Sequence, residues 1–473
     1  MIHTFTIKPP APHGVLGGAF LNMVLDVGSG SLHVVDDSTL AILNKLQQDP
    51  QQLDNLKNAN PAQLSEIEQD ILELVNQQQL FTPDNIQAVN AHINTRKPVV
   101  KALCLHMAHD CNLRCKYCFA GDGTYNVNPI DRGLMPFEIG RKALDFLIEN
   151  SGKRRNLEVD FFGGEPMLNF DTVKALVAHG RSREAETGKK FRFTLTTNGA
   201  LLKPEDNDYI NANFDNVVLS LDGRKEVHDN MRLTVNGKGS YDVIYPKIKA
   251  LADSRNHQNY YVRGTFTAYN KDFAADVMHM ADAGFKQISI EPVVAPPSAE
   301  YALQEADLPQ LFEEYEKLAH QLLAREKEGK GVHFFHFEMD LTAGPCLAKR
   351  VTGCGAGSEY LAVTPSGQLY PCHQFVGDES FKIGDLDTGI IKTDLIEEFS
   401  QCHVFTKPEC ATCWAHYYCS GGCMANAHQS HGSILKPDTI SCELQKKRIE
   451  CALYIMAARM GGLANDTENN PGA

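Results

Sequence analysis

The stretch "CLHMAHDCNLRCKYCFAGDG", residues 104–123, decides how the rest of the chain is read. Cys111, Cys115 and Cys118 are separated by three and then by two residues. An odd set cannot close completely into disulfides, and three thiolates are one short of a tetrahedral metal site. Thiolates favour zinc or iron–sulfur clusters, and gaps this short can wrap one 4Fe-4S cube with three ligands, leaving its fourth iron open. A three-cysteine zinc site completed from outside is the competing reading. Cys104 lies within a strand pattern and reads as a buried core thiol, not a ligand.

Working outward, 473 residues exceed one ordinary core and suit two or three domains. Hydrophobic residues make up 43% and charged residues 22%, a globular balance, and no apolar run approaches a membrane span. The start "MIHTFTIKPP" does not read as a signal peptide. A net charge of -14 counts against nucleic acid, which wants a basic footprint. Fourteen cysteines in a long chain without an export signal point to the reducing cytoplasm and to metal rather than disulfides. Four cysteines lie at 104–118 and ten between 346 and 451, with more than 200 cysteine-free residues separating two thiol-rich modules.

Residues 1–95 read as a small unit. Strands are expected at "TFTI", "NMVLDV" and "SLHVVD", with a turn at 28–30. Helices are expected at "DDSTLAILNKL" (capped by Asp37 or Ser38), at "PAQLSEIEQDILELVNQQQL" and at "TPDNIQAVNAHI". Three strands and three helices suit a winged-helix-like module; a plain N-terminal embellishment is the simpler reading, and the acidic charge argues against a DNA-binding wing. Residues 96–330 alternate strands ("VVKALCLHM", "NLEVDFF", "RFTLTT", "NVVLSL", "YYVRGTFT", "FKQISIEPV") with helices. Six such units predict an α/β fold, a partial (β/α)6 TIM-like barrel. The three cysteines then follow the first strand, at the end where ligands gather in such folds. "EADLPQLFEEYEKLAHQLLAREKEGK" is a long amphipathic helix leading to a cysteine module at 331–455, and 456–473 reads as a disordered tail.

"CNLRCKYCF" resembles the CxxxCxxC signature of radical S-adenosylmethionine enzymes. The resemblance implies that Cys111, Cys115 and Cys118 hold a catalytic 4Fe-4S cluster. Its open iron would chelate S-adenosylmethionine, whose reductive cleavage yields a hydrogen-abstracting radical. Phe119 matches the family's aromatic after the third cysteine. "FFGGEP" supplies Gly163, Gly164, Glu165 and Pro166, which in the family hold the methionyl ammonium. Asn198 in "TTNG", Ser220 in "SLDG", Arg232 and Glu291 in "EPV" are implied contacts of the same cofactor. An exposed surface arginine is the plain alternative for Arg232.

The rear cysteines are numerous enough for two four-ligand sites, and count alone leaves zinc open. The run "ECATCWAHYYCSGGC", with "GQLYPC" before it, resembles the SPASM extension, which carries two auxiliary 4Fe-4S clusters. The resemblance implies one set of Cys346, Cys354, Cys372 and Cys423 and another of Cys410, Cys413, Cys419 and Cys442, three clusters in all. Cys402 and Cys451 are left over.

Within that family, "GPCLAKRVTGCGAG", "YLAVTPSGQLYPCHQFVG" and "CELQKKRIECAL" are similar to maturases of the small cysteine-rich SCIFF peptides. The similarity extends over most of residues 1–455. It implies a ribosomally made, cysteine-rich precursor peptide, a leader sequence bound by residues 1–95, and a thioether joining a cysteine sulfur to an acceptor carbon. It also implies a flavodoxin- or ferredoxin-type reductant. Sulfatase maturases, which form formylglycine, are an alternative. They carry an aspartate base directly after the cysteine matching Cys372, where this chain has His373. A non-catalytic iron–sulfur electron carrier is a second alternative, one that would have no use for the GGEP segment.

Overall fold

The computed structural model describes residues 1–7, 21–84, 86–127, 133–339 and 347–462. Cys346 and residues 463–473 of the expected tail lie outside the described residues. The first part of that tail is not irregular: the last helix runs on as a π-turn over 458–462.

Strands β1 (Ile2–Ile7), β2 (Leu21–Asp26) and β3 (Leu32–Val35) form an antiparallel sheet in the order β1-β2-β3. Four helices follow: α1 (Asp37–Gln48), α2 (Pro50–Asn58), α3 (Glu66–Asn76) and α4 (Ile86–Asn94). Asp36 caps α1, accepting from the Thr39 amide, so the cap falls just before the expected Asp37 or Ser38. The helix expected over residues 61–80 forms only over α3. Pro61–Gln63 makes a 3-10 turn, and Ser65 then starts the helix through a capping box with Glu68. Helix α2 gives almost no periodic signal because only Leu56 in it is buried; Asp49 and Pro50 start it. Ile2, Val24, Leu43, Leu46, Leu56, Ile71 and Leu80 make the unit's own small core.

Next come β4 (Ala102–Ala108), the short β5 (Leu113–Cys115), α5 (Phe137–Asn150), β6 (Asn156–Gly163), α6 (Phe170–Thr187), β7 (Lys190–Thr197), α7 (Asn207–Asn213) and β8 (Asn216–Ser220). After them lie α8 (Lys225–Met231), β9 (Arg232–Thr234), α9 (Tyr241–Ser254), β10 (Tyr260–Phe266), α10 (Phe273–Asp282), β11 (Gln287–Pro292) and α11 (Leu308–Lys327). All six expected strands form, and β4, β6, β7, β8, β10 and β11 pair in parallel in that order. Their alternation is two-sided. Leu103, Leu105, Val159, Phe161, Phe193 and Leu195 pack in the main core, while Asp160, Thr196, Ser220, Thr265 and Glu291 line cavities on the other face. Residues from both ends of the strand row line the same cavity, so the sheet is curled.

The sheet does not stop at residue 330. β12 (His333–Phe334) adds parallel to β11. After α12 (Leu347–Thr352), β13 (Tyr360–Val363) adds parallel to β4, and β14 (Gln368–Tyr370), β15 (Gly384–Asp385) and β16 (Gly389–Ile390) extend it antiparallel. The remaining helices are α13 (Thr393–Gln401), α14 (Pro408–Ala411), α15 (His416–Cys419), α16 (Met424–His431) and α17 (Thr439–Ala457). Helix α17 packs against α11 and against β1 and β3 of the small N-terminal sheet. No helix among the described residues is long and apolar enough to cross a membrane.

The N-terminal unit is pinned to the rear module by specific contacts. The His3 ring stacks on Trp414 at 3.6 Å between centroids, His3 Nε2 meets Glu450 at 3.0 Å, and the Tyr417 hydroxyl donates to Asp84 at 2.6 Å. Trp414→Ala is expected to cost roughly 1–3 kcal/mol, the range for losing a partly buried aromatic pair. Chemical denaturation measures the loss, and faster amide exchange in β1 locates it.

Candidate functional site

A cavity of about 450 Å³ opens at the C-terminal ends of the parallel strands. Its wall collects Cys111, Cys115, Cys118, Phe119, Gly163, Gly164, Glu165, Asn198, Ser220, Arg232 and Glu291, residues spread over 180 positions of sequence. Of the residues expected around the cofactor, Pro166 alone stands back from the wall. It opens the 3-10 turn Pro166–Asn169 and is buried.

The cysteine loop leaves β4 and returns through β5, which pairs with β9. Among the described residues no three His, Cys, Asp or Glu side chains gather as tightly as ligands of a single metal ion. The three thiols instead line one wall of the cavity. Burial pushes the Cys111 thiol up to about 12, with Glu165 adding, and the Cys115 thiol up to about 11, against the pull of Arg232. Thiols held this far from ionisation become good ligands only when a metal centre displaces the proton.

Beside them the GGEP segment is packed without slack. A Cβ on Gly163 would meet the Ala108 carbonyl, and one on Gly164 the Asp110 and Gly123 carbonyls, so both positions need glycine. Gly163 also has a φ of +112°, which L side chains avoid. Glu165 is 1% exposed, and its carboxylate is fully engaged. It accepts from the Thr197 hydroxyl (2.6 Å), the Asn198 amide (2.8 Å) and the Met167 amide (3.0 Å). Burial still pushes its pKa up to about 7. Asn198 in turn donates to Asn112 Oδ1 at 2.8 Å, next to Cys111.

Arg232 is not a surface arginine. It donates through Nε to Asp222 at 3.1 Å, and its side chain is 11% exposed. Asp222 is wholly buried; it also accepts from the Tyr117 hydroxyl at 2.5 Å and the Thr265 amide at 3.0 Å. Sequence reasoning quoted Asp222 within "SLDG" without giving it a role, and passed over Tyr117 between the second and third cysteines. An acid at a strand end followed by glycine was the available signal. Glu291 is shared: Arg448 of α17 donates to it at 3.2 Å, and His336 meets it at 3.2 Å.

The far wall comes from the rear module. Cys423, His373, Gln374 and Asn426 line the same cavity as Cys118. His373 shares a 3.0 Å hydrogen bond with the Tyr360 hydroxyl through Nδ1 and lies 5.5 Å from the Phe119 ring. Burial pushes its pKa down to about 4, with the Arg263 charge acting the same way.

The rear cysteines fall into two groups. Cys410, Cys413, Cys419 and Cys442 lie within one another's field; burial and then Cys419, Cys410 and Cys413 push the Cys442 thiol up to about 12. Cys354, Cys372 and Cys423 form the second group: Cys354 raises the thiol pKa of both Cys372 and Cys423, and Cys423 raises that of Cys372. The structure thus brings together the described members of each expected set; Cys346 lies outside the described residues. Cys104, Cys402 and Cys451 are buried away from the cavity wall. The donor sets, the glycine-lined approach and the cavity fit iron–sulfur clusters and S-adenosylmethionine.

Comparison with known proteins follows the same lines. Residues 100–244 match the family model described as a 4Fe-4S single cluster domain. The chain is 23% identical, over 73% of its length and 72% of the relative's, to the radical SAM cyclopropyl synthase TigE of Paramaledivibacter caminithermalis. It is 26% identical, over 72% and 92% of the two chains, to the cysteine-type anaerobic sulfatase-maturating enzyme of Clostridium novyi. Among solved structures it shares the fold of anSMEcpe with bound AdoMet and Cp18Cys peptide. That match has a TM-score of 0.61 and 20% identity, covering 76% of this chain and 99% of the other.

Asp222→Ala is expected to cost about 3–5 kcal/mol, because it strands the buried Arg232 guanidinium. The thermal unfolding midpoint of the reconstituted chain checks it.

Proposed function

We propose that this chain, a member of the radical S-adenosylmethionine/SPASM-type maturase family, is a peptide maturase that links a cysteine sulfur to an acceptor carbon within a cysteine-rich precursor. The observation that carries the reading is the shared cavity: Cys118 of the front loop and Cys423 of the rear module face one space. A substrate held there lies beside both a hydrogen-abstracting centre and a second thiolate-bound centre able to take an electron or a sulfur.

In this reading residues 96–330 are a partial six-stranded TIM-like barrel, 331–455 a SPASM module, and 1–95 a winged-helix-like recognition domain for the leader. Cys111, Cys115 and Cys118 hold the front cluster. Gly163, Gly164, Asn198, Ser220, Arg232 and Glu291 surround S-adenosylmethionine, and Glu165 fixes the loop that carries them. When bound, cluster and cofactor together supply one-electron abstraction of an unactivated hydrogen. The chain's own part is placement, since proximity decides which hydrogen is reached. Phe119 covers one side of the site, with its ring 44% exposed for a substrate to pack on. Half-buried His373, held by Tyr360, continues that side, its ring 5.5 Å from the Phe119 ring. A leader can add to the exposed edge of the small sheet at β3, gaining backbone hydrogen bonds with little sequence demand.

Formylglycine formation is the second reading, favoured by the match to nearly the whole sulfatase-maturating relative. Against it stands His373, where the resembling enzymes place an aspartate base.

Two measurements test this. Anaerobic reconstitution is expected to give about twelve iron and twelve sulfide per chain for three four-iron sites; stoichiometric zinc with little iron overturns the cluster assignment. Replacing Cys111, Cys115 and Cys118 together should abolish S-adenosylmethionine cleavage and leave about eight irons, the content of two such sites. Incubation with precursor, S-adenosylmethionine and reductant should lower the peptide mass by two hydrogens, and iodoacetamide should label one cysteine fewer. An aldehyde at the modified residue would establish the second reading, and a carbon–carbon link would overturn both.

A further inference from the structure

Lys407 is 2% exposed. It lies just before α14, and its ammonium donates to the Gly421 carbonyl at 2.8 Å. Among the described residues it makes no salt bridge to a carboxylate. Burying an ammonium without a counter-ion is unfavourable, so something else balances it.

The surroundings identify that balance. Gly421 sits in the loop between Cys419, of one rear set, and Cys423, of the other. Ser420, Gly421 and Gly422 all have positive φ (+60°, +81° and +74°), a tight left-handed run that presents the Gly421 carbonyl to Lys407. The amides of Cys410 and Ala411 donate to the Lys407 carbonyl at 3.0 Å, tying the lysine backbone to the second set. The Lys407 charge also favours ionisation of Cys410 and Cys419 on one side and Cys423 on the other. Outside both sets Lys407 also shares a side-chain hydrogen bond with Cys402, a neutral partner whose Sγ is directed to the Ile434 carbonyl at 3.3 Å and whose pKa burial holds above the ordinary thiol value.

We propose that Lys407 is the shared counter-ion of the two rear cysteine sites, one buried cation placed between two anionic iron–sulfur centres and raising the reduction potential of both. This rests on the reading of those sets as 4Fe-4S clusters. A four-iron cube with four thiolates is anionic, and reduction adds one electron and one further negative charge without breaking a bond. A fixed positive charge nearby stabilises the reduced form, and charge and hydrogen bonding near the sulfurs are the protein's means of setting cluster potentials. Because the ammonium is shared, the two potentials move together, which suits passing an electron from one site to the other. Lys407 is a positioning residue here: it touches neither substrate nor the reacting carbon.

The test uses the full chain with Cys111, Cys115 and Cys118 replaced by alanine, so that only rear clusters contribute signal, reconstituted without oxygen and titrated with dithionite under EPR. Iron content is measured first. A chain that retains no rear iron refutes the cluster reading itself, independently of Lys407. Where rear iron is present, Lys407→Met should shift both midpoint potentials to more negative values, and Lys407→Arg, which keeps the charge, should leave both near the parent values. Unmoved potentials in Lys407→Met, or a shift in one signal only, would overturn the shared role. If Lys407→Met fails to load rear iron, the arginine variant decides. Loading with parent-like potentials supports the charge, and failure to load shows that lysine packing, not charge, is what the site requires.

Discussion

Burying a thiol works against ionising it, and most of this structure answers that conflict. Cys111, Cys115, Cys372, Cys410 and Cys442 all have their thiol pKa raised, with burial as the leading cause. Each is held near other thiols that would repel it once charged. Such an arrangement is unfavourable for the bare chain and becomes favourable when metal takes the protons, so ligand binding and folding are coupled. The rear module shows the consequence. Its apolar clusters around Phe399 and Val404 are small beside the main core, and short helices and loops fill the space between cysteines. The rear module's larger hydrocarbon packing comes from β13, β14 and α17, which join the main core.

The same constraint joins front and rear. Strand β13 of the rear module pairs with β4, the strand that launches the cysteine loop, from Tyr360↔Ala102 to Val363↔Leu105. Arg448 reaches from α17 to Glu291 at the end of β11. The rear module is therefore fixed to both ends of one row of strands, β4 and β11, and the front cysteine loop springs from one of them. The separation of the two cysteine modules across the cavity is set by backbone hydrogen bonds and does not depend on a flexible linker. Pairing of this kind holds groups on the two walls at a fixed distance, which is what positions any molecule bound between them.

Legibility followed the strength of local signals. The six parallel strands were readable because each is a short apolar run bounded by turn residues. The front site was readable because cysteine spacing and GGEP are dense, specific patterns. Helix α2 was not, since its single buried residue leaves no periodicity. The join of β13 to β4 was not either, because nothing in "YLAV" distinguishes a strand that closes on its own hairpin from one that extends a sheet 250 residues earlier. Asp222 escaped notice because a buried carboxylate is defined by its partners, Arg232, Tyr117 and the Thr265 amide, which lie on three different segments. Lys407 carried no signal at all: a lysine before a proline reads as surface, and only the fold encloses it.

Motifs of one kind occur in relatives with different named reactions, and there is a physical reason. The chain resembles a cyclopropyl synthase and a sulfatase-maturating enzyme to similar extents, although their named reactions differ. Residues that hold a cluster and its cofactor do the same work in every such enzyme, so they carry no information about which carbon is reached. The cavity wall also carries residues outside the cluster and glycine motifs, of varied chemistry: Phe119, His373, Gln374, Arg263 and Asn426. A displacement of roughly an ångström in substrate placement is enough to change which hydrogen meets an abstracting centre. Those wall residues come from β10, the front loop and the rear module, and no contiguous stretch of sequence contains them. Whatever fills the cavity therefore meets a surface made at the junction of front loop and rear module rather than by either one.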